Sequence, residues 1–309
     1  MEPISRMDGD SLPVSAFEGN VNGEWEQGAS AYEKRGTAVN VPEWDAAKCV
    51  GCNQCAFVCS HATIRPFQLT ADELAAAPAQ TKSRDNKPAN EYKFVMAVSP
   101  LDCMGCGECV TVCPTAAIEM KPQESQSEQQ AAFDYCVENI RKKDNVPGVV
   151  SEVSVKGSQF NQPLLEFSGS CAGCAETSYA RLITQLFGEK MFISNATGCS
   201  SIWGGTASIS PYTTNKESGH GPAWINSLFE DNAEHGLGMQ IGYETVRANL
   251  ITKVEALKGK NAELDAVIDK FLETKNNTKA NDEPAKALIA ALEACGCDES
   301  KEILKDKQY

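Results

Sequence analysis

Two runs of cysteines with the same spacing constrain this chain more than any other feature of its sequence. Both runs read C-x2-C-x2-C-x3-C, and together they hold eight of the fourteen cysteines. They are Cys49, Cys52, Cys55 and Cys59 in the first run, and Cys103, Cys106, Cys109 and Cys113 in the second. Thiolates at consecutive x2 spacings can reach three irons of one four-iron cluster. Zinc sites also take four thiolates but seldom at such spacings, so we expect two 4Fe-4S clusters, with zinc knuckles as the alternative.

The fourth cysteine of each run is expected to bind the cluster of the other run, as it does in two-cluster ferredoxins. One predicted ligand set is therefore Cys49, Cys52, Cys55 and Cys113, and the other is Cys103, Cys106, Cys109 and Cys59. The long insertion between the runs begins with a capping-box pattern that predicts a helix over residues 70–77. It ends with a predicted strand over residues 92–98. These features indicate a bacterial-ferredoxin-like α+β domain with an insertion.

The overall charge argues against one class of function. Acidic residues outnumber basic ones by 42 to 28, which leaves a net charge of −14 and a pI near 4.8. Because phosphate neutralisation needs a basic face, we expect no nucleic-acid partner. The sequence has no apolar run of membrane-spanning length, and its first residues lack the pattern of a signal peptide. We therefore expect a cytoplasmic protein that does not bind membranes.

The composition changes near residue 150, where a stretch rich in Val, Pro, Gly and Ser begins. We therefore predict the two-cluster domain, with an N-terminal extension, over 1–150 and a second domain over 151–309. In the second domain, a turn, an apolar helical segment over 179–187 and a strand over 191–194 alternate as in α/β proteins. Amphipathic helical patterns follow after residue 245. They predict a helical tail that packs against a larger body.

The remaining cysteines and the histidines are less decisive. Cys171, Cys174 and Cys199 supply three thiolates where a four-iron cluster needs four, and spacing alone does not separate a metal site from a redox C-x2-C motif or buried thiols. The other cysteines are predicted not to bind metal: Cys136, as a free structural thiol, and Cys295 and Cys297. The histidines are His61, His220 and His235, and none has a partnered acid or nucleophile in the sequence. They are predicted to be structural, or to support a site residue without contacting the ligand.

Several longer strings are distinctive: residues 195–205 (NATGCSSIWGG), 211–215 (PYTTN), 219–239 (GHGPAWINSLFEDNAEHGLGM), 12–17 (LPVSAF) and 32–36 (YEKRG). They resemble one enzyme family, pyruvate:ferredoxin (or flavodoxin) oxidoreductase. The resemblance covers most of residues 10–245, and the final helices match only loosely. Strings of this length are more specific than a cysteine pattern.

The resemblance implies a part of an enzyme that oxidatively decarboxylates pyruvate with thiamine diphosphate and transfers the acetyl group to coenzyme A. Electrons would pass through three 4Fe-4S clusters to ferredoxin or flavodoxin. The chain would supply the two-cluster domain and the first part of the thiamine diphosphate domain. The resemblance also implies that Cys171, Cys174 and Cys199 hold the third cluster, with a fourth cysteine beyond Tyr309. Glu176 and Cys199 would line the thiamine cofactor.

Parts of the family's pattern are missing. The chain has no Gly-Asp-Gly motif for magnesium and diphosphate, nor the domains that complete the pyruvate site, and Ala175 and Ser178 replace a Gly and a Pro of the family. We therefore expect a segment that is inactive alone and takes thiamine diphosphate and Mg²⁺ only with the missing downstream part. The complete enzyme is expected to be a homodimer of anaerobic metabolism. The alternatives are a standalone two-cluster electron carrier and an inert truncation.

The expected acceptors are often acidic themselves, so an acidic chain would need a local basic patch to dock them. The candidate patch is Lys82, Arg84 and Lys87. The same three residues also fit an ordinary solvated loop, which is the simpler interpretation.

Overall fold

The computed structural model describes residues 2–22, 26–144, 146, 151, 153–206, 209–259 and 261–307. The chain divides into two units, Met1–Phe229 and Glu230–Tyr309. The domain boundary predicted near residue 150 falls among residues 147–150, which lie outside the described ranges. That boundary therefore stays a prediction.

Short strands and helices make up the first unit. Its strands are β1 (Asn40–Trp44), β2 (Ile64–Leu69), β3 (Arg84–Asp85), β4 (Lys93–Val98), β5 (Ile118–Pro122), β6 (Phe192–Asn195) and β7 (Ala223–Asn226). Its α-helices are α1 (Glu2–Ser5), α2 (Gln54–Val58), α3 (Ala71–Ala76), α4 (Glu108–Thr111), α5 (Gln129–Asn139), α6 (Val155–Ser158), α7 (Ala175–Phe187) and α8 (Cys199–Gly204). This mixture of small sheets and helices agrees with the α+β and α/β content expected from the sequence.

Two small antiparallel sheets frame the cysteine runs. β1 pairs with β5, with Val41 opposite Lys121 and Trp44 opposite Ile118. The other sheet has the strand order β2-β4-β3 and is antiparallel throughout. Each cysteine run therefore lies between two strands, with β1 before and β2 after the first run, and β4 before and β5 after the second.

Strand β4 of the insertion separates two hydrophobic clusters. Phe94, Met96 and Val98 pack with Trp44 and Ile118 on the side of the cysteine runs. The alternate residues, Val95 and Ala97, pack on the other side against Phe133, Cys136 and Ile140 in the region of helix α5. Successive side chains of a strand point to opposite faces, so a strand buried on both faces must be apolar throughout. The continuous run from Phe94 to Val98 meets this requirement.

The local predictions for the insertion are confirmed. The Thr70 hydroxyl accepts a hydrogen bond from the backbone N–H of Glu73 at 3.2 Å, and the Glu73 carboxylate accepts one from the backbone N–H of Thr70 at 2.7 Å. This capping box starts α3, the helix predicted over 70–77. The strand predicted over 92–98 is β4. Cys136, predicted as a structural thiol, is fully buried, and burial raises its pKa to about 12.

The later part of the first unit contains a parallel strand pair. Helix α7 ends at Phe187, where the helical segment predicted over 179–187 ends, and β6 and β7 run parallel with Ile193 opposite Trp224. Helix α8 lies in the connection between these two strands, as a parallel pair requires a crossover. Leu165, Trp203 and Tyr212 form the core on the Ile193 side of the pair.

The second unit consists of helices, which confirms the predicted helical tail. They are α9 (Asn232–Ala256), α10 (Ala262–Thr274), α11 (Thr278–Cys295) and α12 (Asp298–Leu304). Their apolar stripes meet in a core of Val254, Leu257, Leu264, Ile268, Leu288, Leu292 and Ile303. Among the described residues, no helix combines the length and the apolar character that crossing a bilayer requires.

Candidate metal centre

Four cysteines from both runs line one cavity. Cys49, Cys52 and Cys55 come from the first run, and Cys113 comes from the second. The rest of the wall is mostly apolar and includes Trp44, Val50, Met96, Pro114, Ala117 and Ile118. The first cysteine group, as we name Cys49, Cys52, Cys55 and Cys113, is the ligand set expected for one cluster. The structure thus brings Cys113 to the thiols of the other run, as crossed ligation requires.

The other four cysteines form a second group. Cys103 and Cys106 interact electrostatically with Cys59, and Cys109 interacts with all three of these thiols. Cys103 and Cys109 are buried, Cys59 is half-buried and Cys106 is exposed. The second cysteine group, as we name Cys59, Cys103, Cys106 and Cys109, therefore has the membership expected for the other cluster.

The two runs have the same local geometry. The backbone N–H of Gly51 donates to Cys49 Sγ at 3.3 Å, and that of Gly105 donates to Cys103 Sγ at 3.4 Å. Both glycines have a left-handed backbone, with φ of 68° and 69°. A side chain at Gly105 would also be crowded, because its Cβ would lie 3.0 Å from the carbonyl oxygen of Asn40. Glycine at this place in each run turns an amide toward the first sulfur.

The fourth cysteine of each run receives a matching hydrogen bond. The N–H of Thr63 donates to Cys59 Sγ at 3.4 Å, and the N–H of Ala117 donates to Cys113 Sγ at 3.2 Å. The donors stand four residues after their cysteines in both runs. Amide hydrogen bonds to sulfur stabilise the extra negative charge of a reduced cluster. Each cysteine group therefore accepts one hydrogen bond from an amide in or just after the first run and one from an amide in or just after the second run.

Burial controls the protonation of these thiols. It raises the pKa of Cys103 to about 12, and it also raises the pKa values of Cys55, Cys106 and Cys109. Such thiols are protonated at neutral pH until a metal displaces the proton. Four sulfur donors around a cavity with an apolar wall fit a 4Fe-4S cluster in donor chemistry. Within the described ranges, no three His, Cys, Asp or Glu side chains are grouped so that they could hold a single metal ion.

The cysteines of the proposed third cluster are more open. Cys171 and Cys199 are exposed, and Cys174 is half-buried immediately before helix α7. Gly173 lies against the second cysteine group, since a Cβ on it would be 3.6 Å from Cys106 Cβ. Glu176 lies exposed in the first turn of α7 and interacts electrostatically with Tyr212, whose pKa burial raises to about 12. The ligand roles of these residues stay predictions.

Hydrogen bonds connect the second cysteine group to the segment before Cys171. His61 is buried; its Nδ1 contacts Ser60 Oγ at 2.9 Å, and its Nε2 lies 3.0 Å from both the carbonyl oxygen and the Oγ of Ser170. Burial lowers the pKa of His61, so its neutral form is favoured. The sequence indicated a structural histidine, and its contacts join Ser60, the residue after Cys59, to Ser170, the residue before Cys171.

Two arginines in this region were missed by sequence reasoning. Arg65 forms a buried ion pair with Glu166, and its guanidinium lies over the rings of Phe133 and Phe167 at 5.3 and 5.1 Å. Arg181 on α7 reaches the carbonyl oxygen of Phe57 on α2 at 2.6 Å. Arginines in an otherwise apolar helix or strand are a weak signal of burial, and nothing in the spacing shows their partners.

Cys295 and Cys297 belong to the second unit. Their sulfurs are 3.0 Å apart across Gly296, which has a left-handed φ of 61°. Cys295 is exposed, and hydrogen bonding to Cys297 lowers its pKa to about 7. The prediction that neither binds metal is not tested by this geometry.

Cys295 is expected to be the most reactive of the thiols that are not proposed ligands. Above pH 7 it is largely thiolate, so iodoacetamide should label it at a rate that rises through this pH, whereas Cys136 stays unlabelled. Mass spectrometry of the tryptic peptide 287–301 measures the labelling. Cys297→Ser is the control, since loss of the thiol partner should move the reactivity to higher pH. Equal labelling of Cys295 and Cys136 at pH 7 would contradict this expectation.

Two family models match parts of the chain. A 4Fe-4S dicluster domain matches residues 48–117, which include both cysteine runs. The EKR domain, a domain of unknown function, matches residues 1–38. The first match shows that the predicted ferredoxin-like region is a 4Fe-4S domain and favours iron–sulfur clusters over zinc.

Much longer proteins match nearly the whole chain. A pyruvate-flavodoxin oxidoreductase of Enterobacter agglomerans is 49% identical over 292 residues, covering 92% of this chain and 24% of that protein. The enzyme of the same name from Klebsiella pneumoniae is 52% identical, covering 83% of this chain and 22% of that protein. A pyruvate:ferredoxin oxidoreductase of Moorella thermoacetica is 45% identical, covering 99% of this chain and 26% of that protein. The chain thus spans about a quarter of the length of the curated relatives it matches.

Proposed function

We propose that this chain, which belongs to the family of pyruvate-flavodoxin and pyruvate:ferredoxin oxidoreductases, is the electron-transfer segment of such an enzyme. The observation that carries the proposal is the 4Fe-4S dicluster match together with the two crossed cysteine groups. In the complete enzyme, thiamine diphosphate with Mg²⁺ would supply the chemistry that cleaves the carboxyl group from pyruvate. This chain's own residues would hold the clusters and pass electrons away from that reaction.

The geometry supports an order for the clusters. Gly173, between Cys171 and Cys174, lies against Cys106 of the second cysteine group. The first cysteine group is reached from there through the apolar region between α2 and α4, where Cys55 and Cys109 interact electrostatically. Electrons would therefore pass from the loop at Cys171 and Cys174 to the second group and then to the first. Cys199, at the start of α8, would contribute to the third cluster at that loop.

The first cysteine group is also the one near the candidate basic patch. Arg84 Nη1 lies 3.3 Å from the position that a Cβ on Gly51 would take, which places this cation beside the loop of Cys49 and Cys52. Lys82 is half exposed and pairs with Glu43. A cation beside the outer cluster supports docking of an acidic flavodoxin or ferredoxin there.

The region after Cys171 fits the first part of a larger α/β domain for thiamine diphosphate. Phe192 and Ile225 share one face of the parallel β6–β7 pair and are 55% and 49% exposed. Parallel sheets are usually covered on both faces. Additional parts of the complete enzyme would cover this face, and Glu176 and Cys199 would line the cofactor. Pyruvate and coenzyme A would bind only to the complete enzyme, which we propose to be a homodimer.

A cytoplasmic, anaerobic setting suits this assignment. Free thiols and 4Fe-4S clusters persist where the surroundings are reducing. All the cysteines in the described structure are free thiols rather than disulfides. The alternative function, a standalone two-cluster electron carrier, would use the same two cysteine groups without the residues after Cys171.

Iron and acid-labile sulfide per chain, measured under anaerobic conditions with electron paramagnetic resonance of the reduced protein, test the proposal. We expect about eight irons and two interacting four-iron clusters. About twelve irons would mean that ligands within this chain complete the third cluster. Absence of iron, or zinc in its place, would overturn the proposal.

A second measurement separates the segment from an inert truncation. The reduced chain is mixed with oxidised flavodoxin or ferredoxin, and the absorbance of the acceptor follows its reduction. We expect electron transfer to the acceptor and no turnover of pyruvate by the chain alone. Loaded clusters that fail to reduce either acceptor would contradict the assigned role in electron transfer.

A further inference from the structure

Arg181 places a buried positive charge next to the second cysteine group. The residue is 1% exposed. Its guanidinium donates to Gln159 Oε1 at 2.9 Å, to Gln185 Oε1 at 2.5 Å and to the carbonyl oxygen of Phe57 at 2.6 Å. These acceptors are all neutral, and its Nε finds no hydrogen-bond partner among the described residues. Amide oxygens therefore accept the hydrogen bonds of this cation, and none of these partners carries a negative charge that would balance it.

Burying a cation without an anion is costly, because the charge loses its water and gains no opposite charge. Burial, with a smaller contribution from the neighbouring charge of Arg65, accordingly lowers the pKa of Arg181 to about 10. The opposing influence is Cys59, whose thiolate form raises the pKa of Arg181. Phe57, which accepts the hydrogen bond, lies in α2, two residues after Cys55 and two residues before Cys59, which directly follows that helix. Of the two cysteines on either side of Phe57, Cys59 is the one that interacts electrostatically with Arg181, which places the buried charge beside the second cysteine group.

The first cysteine group has different surroundings. Around Cys113, the cavity wall is mostly apolar, with Trp44, Met96 and Ile118, and the cation beside this group, Arg84, is half-buried rather than fully buried. The hydroxyl contacts are also less close, because the Thr63 hydroxyl lies 3.4 Å from Cys59 Sγ, whereas the Thr115 hydroxyl lies 4.0 Å from Cys113 Sγ. The two runs have the same backbone geometry, so this difference comes from side chains outside the repeat.

We infer that Arg181 makes the cluster held by the second cysteine group a stronger electron acceptor than the cluster held by the first. The inference rests on the proposed function, since it requires both groups to bind 4Fe-4S clusters. Four thiolates give such a cluster a net negative charge, and each one-electron reduction adds one more. A buried cation stabilises the reduced form most, because little water screens the interaction.

The consequence concerns the direction of electron flow. Helix α7 carries Arg181 and begins directly after Cys174, so one rigid element joins the loop of the third site to the cation. The second cysteine group is also the one that Gly173 contacts. Arg181 would therefore favour the first transfer of an electron into the two-cluster domain. Onward transfer to the cluster with the apolar wall would then be uphill, and removal of the electron by the acceptor would draw it forward.

An anaerobic reductive titration of the iron-loaded full chain, followed by electron paramagnetic resonance, tests this inference. Arg181→Gln removes the charge but keeps an amide donor, whereas Arg181→Lys keeps the charge. We expect Arg181→Gln to lower the equilibrium constant for reduction of one cluster about tenfold, which is ~59 mV for a one-electron couple. The lysine variant should restore most of this loss, and the other cluster should titrate as in the wild type.

Gln159→Glu provides a second variant that is less disruptive to folding. It leaves Arg181 in place and neutralises it with a carboxylate at the position of the amide oxygen that now accepts its hydrogen bond. The same cluster should become harder to reduce, as in Arg181→Gln. Thr63→Val identifies that cluster, since it removes the hydroxyl beside Cys59 and should move the same titration step by a smaller amount.

Unchanged titrations in both Arg181→Gln and Gln159→Glu, with full iron content, would overturn the inference and leave the proposed function intact. The inference would also be overturned if Arg181→Gln shifted the reduction of the cluster whose titration Thr63→Val leaves unchanged. A wild-type chain that binds no iron would instead overturn the proposed function. If Arg181→Gln loses iron, the Gln159→Glu titration decides alone.

Discussion

Cys59→Ala is expected to release the cluster of the second cysteine run, although Cys59 belongs to the first. The chain should lose about four irons, because one complete four-iron site depends on each group of four thiolates. The physical reason is the crossed arrangement, in which Cys59 lies with Cys103, Cys106 and Cys109. Anaerobic alkylation followed by peptide mapping measures which thiols become free. Cys103, Cys106 and Cys109 should be labelled, while the first cysteine group stays protected.

The mirror variant and a control make this test specific. Cys113→Ala should expose Cys49, Cys52 and Cys55 and leave the second group protected. Cys136→Ala should keep all the iron, since Cys136 packs with Val95 and Phe133 away from both groups. If Cys59→Ala instead exposes the other cysteines of its own run, each run binds its cluster independently and crossed ligation is wrong.

Glu166→Ala is expected to destabilise the first unit strongly. Its carboxylate pairs with Arg65 where both side chains are at least nine-tenths buried. Loss of one partner leaves an uncompensated buried charge, which costs ~3–5 kcal/mol. The rings of Phe133 and Phe167 beside Arg65 cannot replace the lost carboxylate, because a cation–π contact is weaker than a paired anion.

Guanidinium unfolding followed by tryptophan fluorescence measures this loss. Trp44, Trp203 and Trp224 all lie in the first unit, and the remaining tryptophan also precedes Phe229, so the signal reports on this unit. Asp85→Ala is the matched control, since it breaks a pair with Lys93 at 2.6 Å that is exposed on both sides. We expect no measurable change there, because water screens exposed pairs. Equal unfolding midpoints for Glu166→Ala and wild type would show that Arg65 finds other compensation.

Much of the candidate site could be predicted because its signals are local. The eight cysteines of the two runs, the glycines that turn amides toward sulfur, and the capping box of α3 each involve residues within a few positions of one another. The structure also places Cys113 in the cavity lined by the cysteines of the first run, while crossed ligation itself stays a prediction. In contrast, the partners of His61, Arg65 and Arg181 lie more than a hundred residues away along the chain or in other elements. Side-chain type and spacing carry no information about such distant partners.

The sequence by itself determined the kind of cluster chemistry, the helix starts and the apolar strand that ends the insertion, because these depend on spacing and on the neighbours of each residue. Only the tertiary structure decided how the rest of the chain differentiates two otherwise similar cysteine groups. It brings Gly173 against Cys106 and places the charge of Arg181 beside Cys59. The physical reason is that electrostatic and packing energies depend on distances in space, and these distances are set by the folded path of the whole first unit.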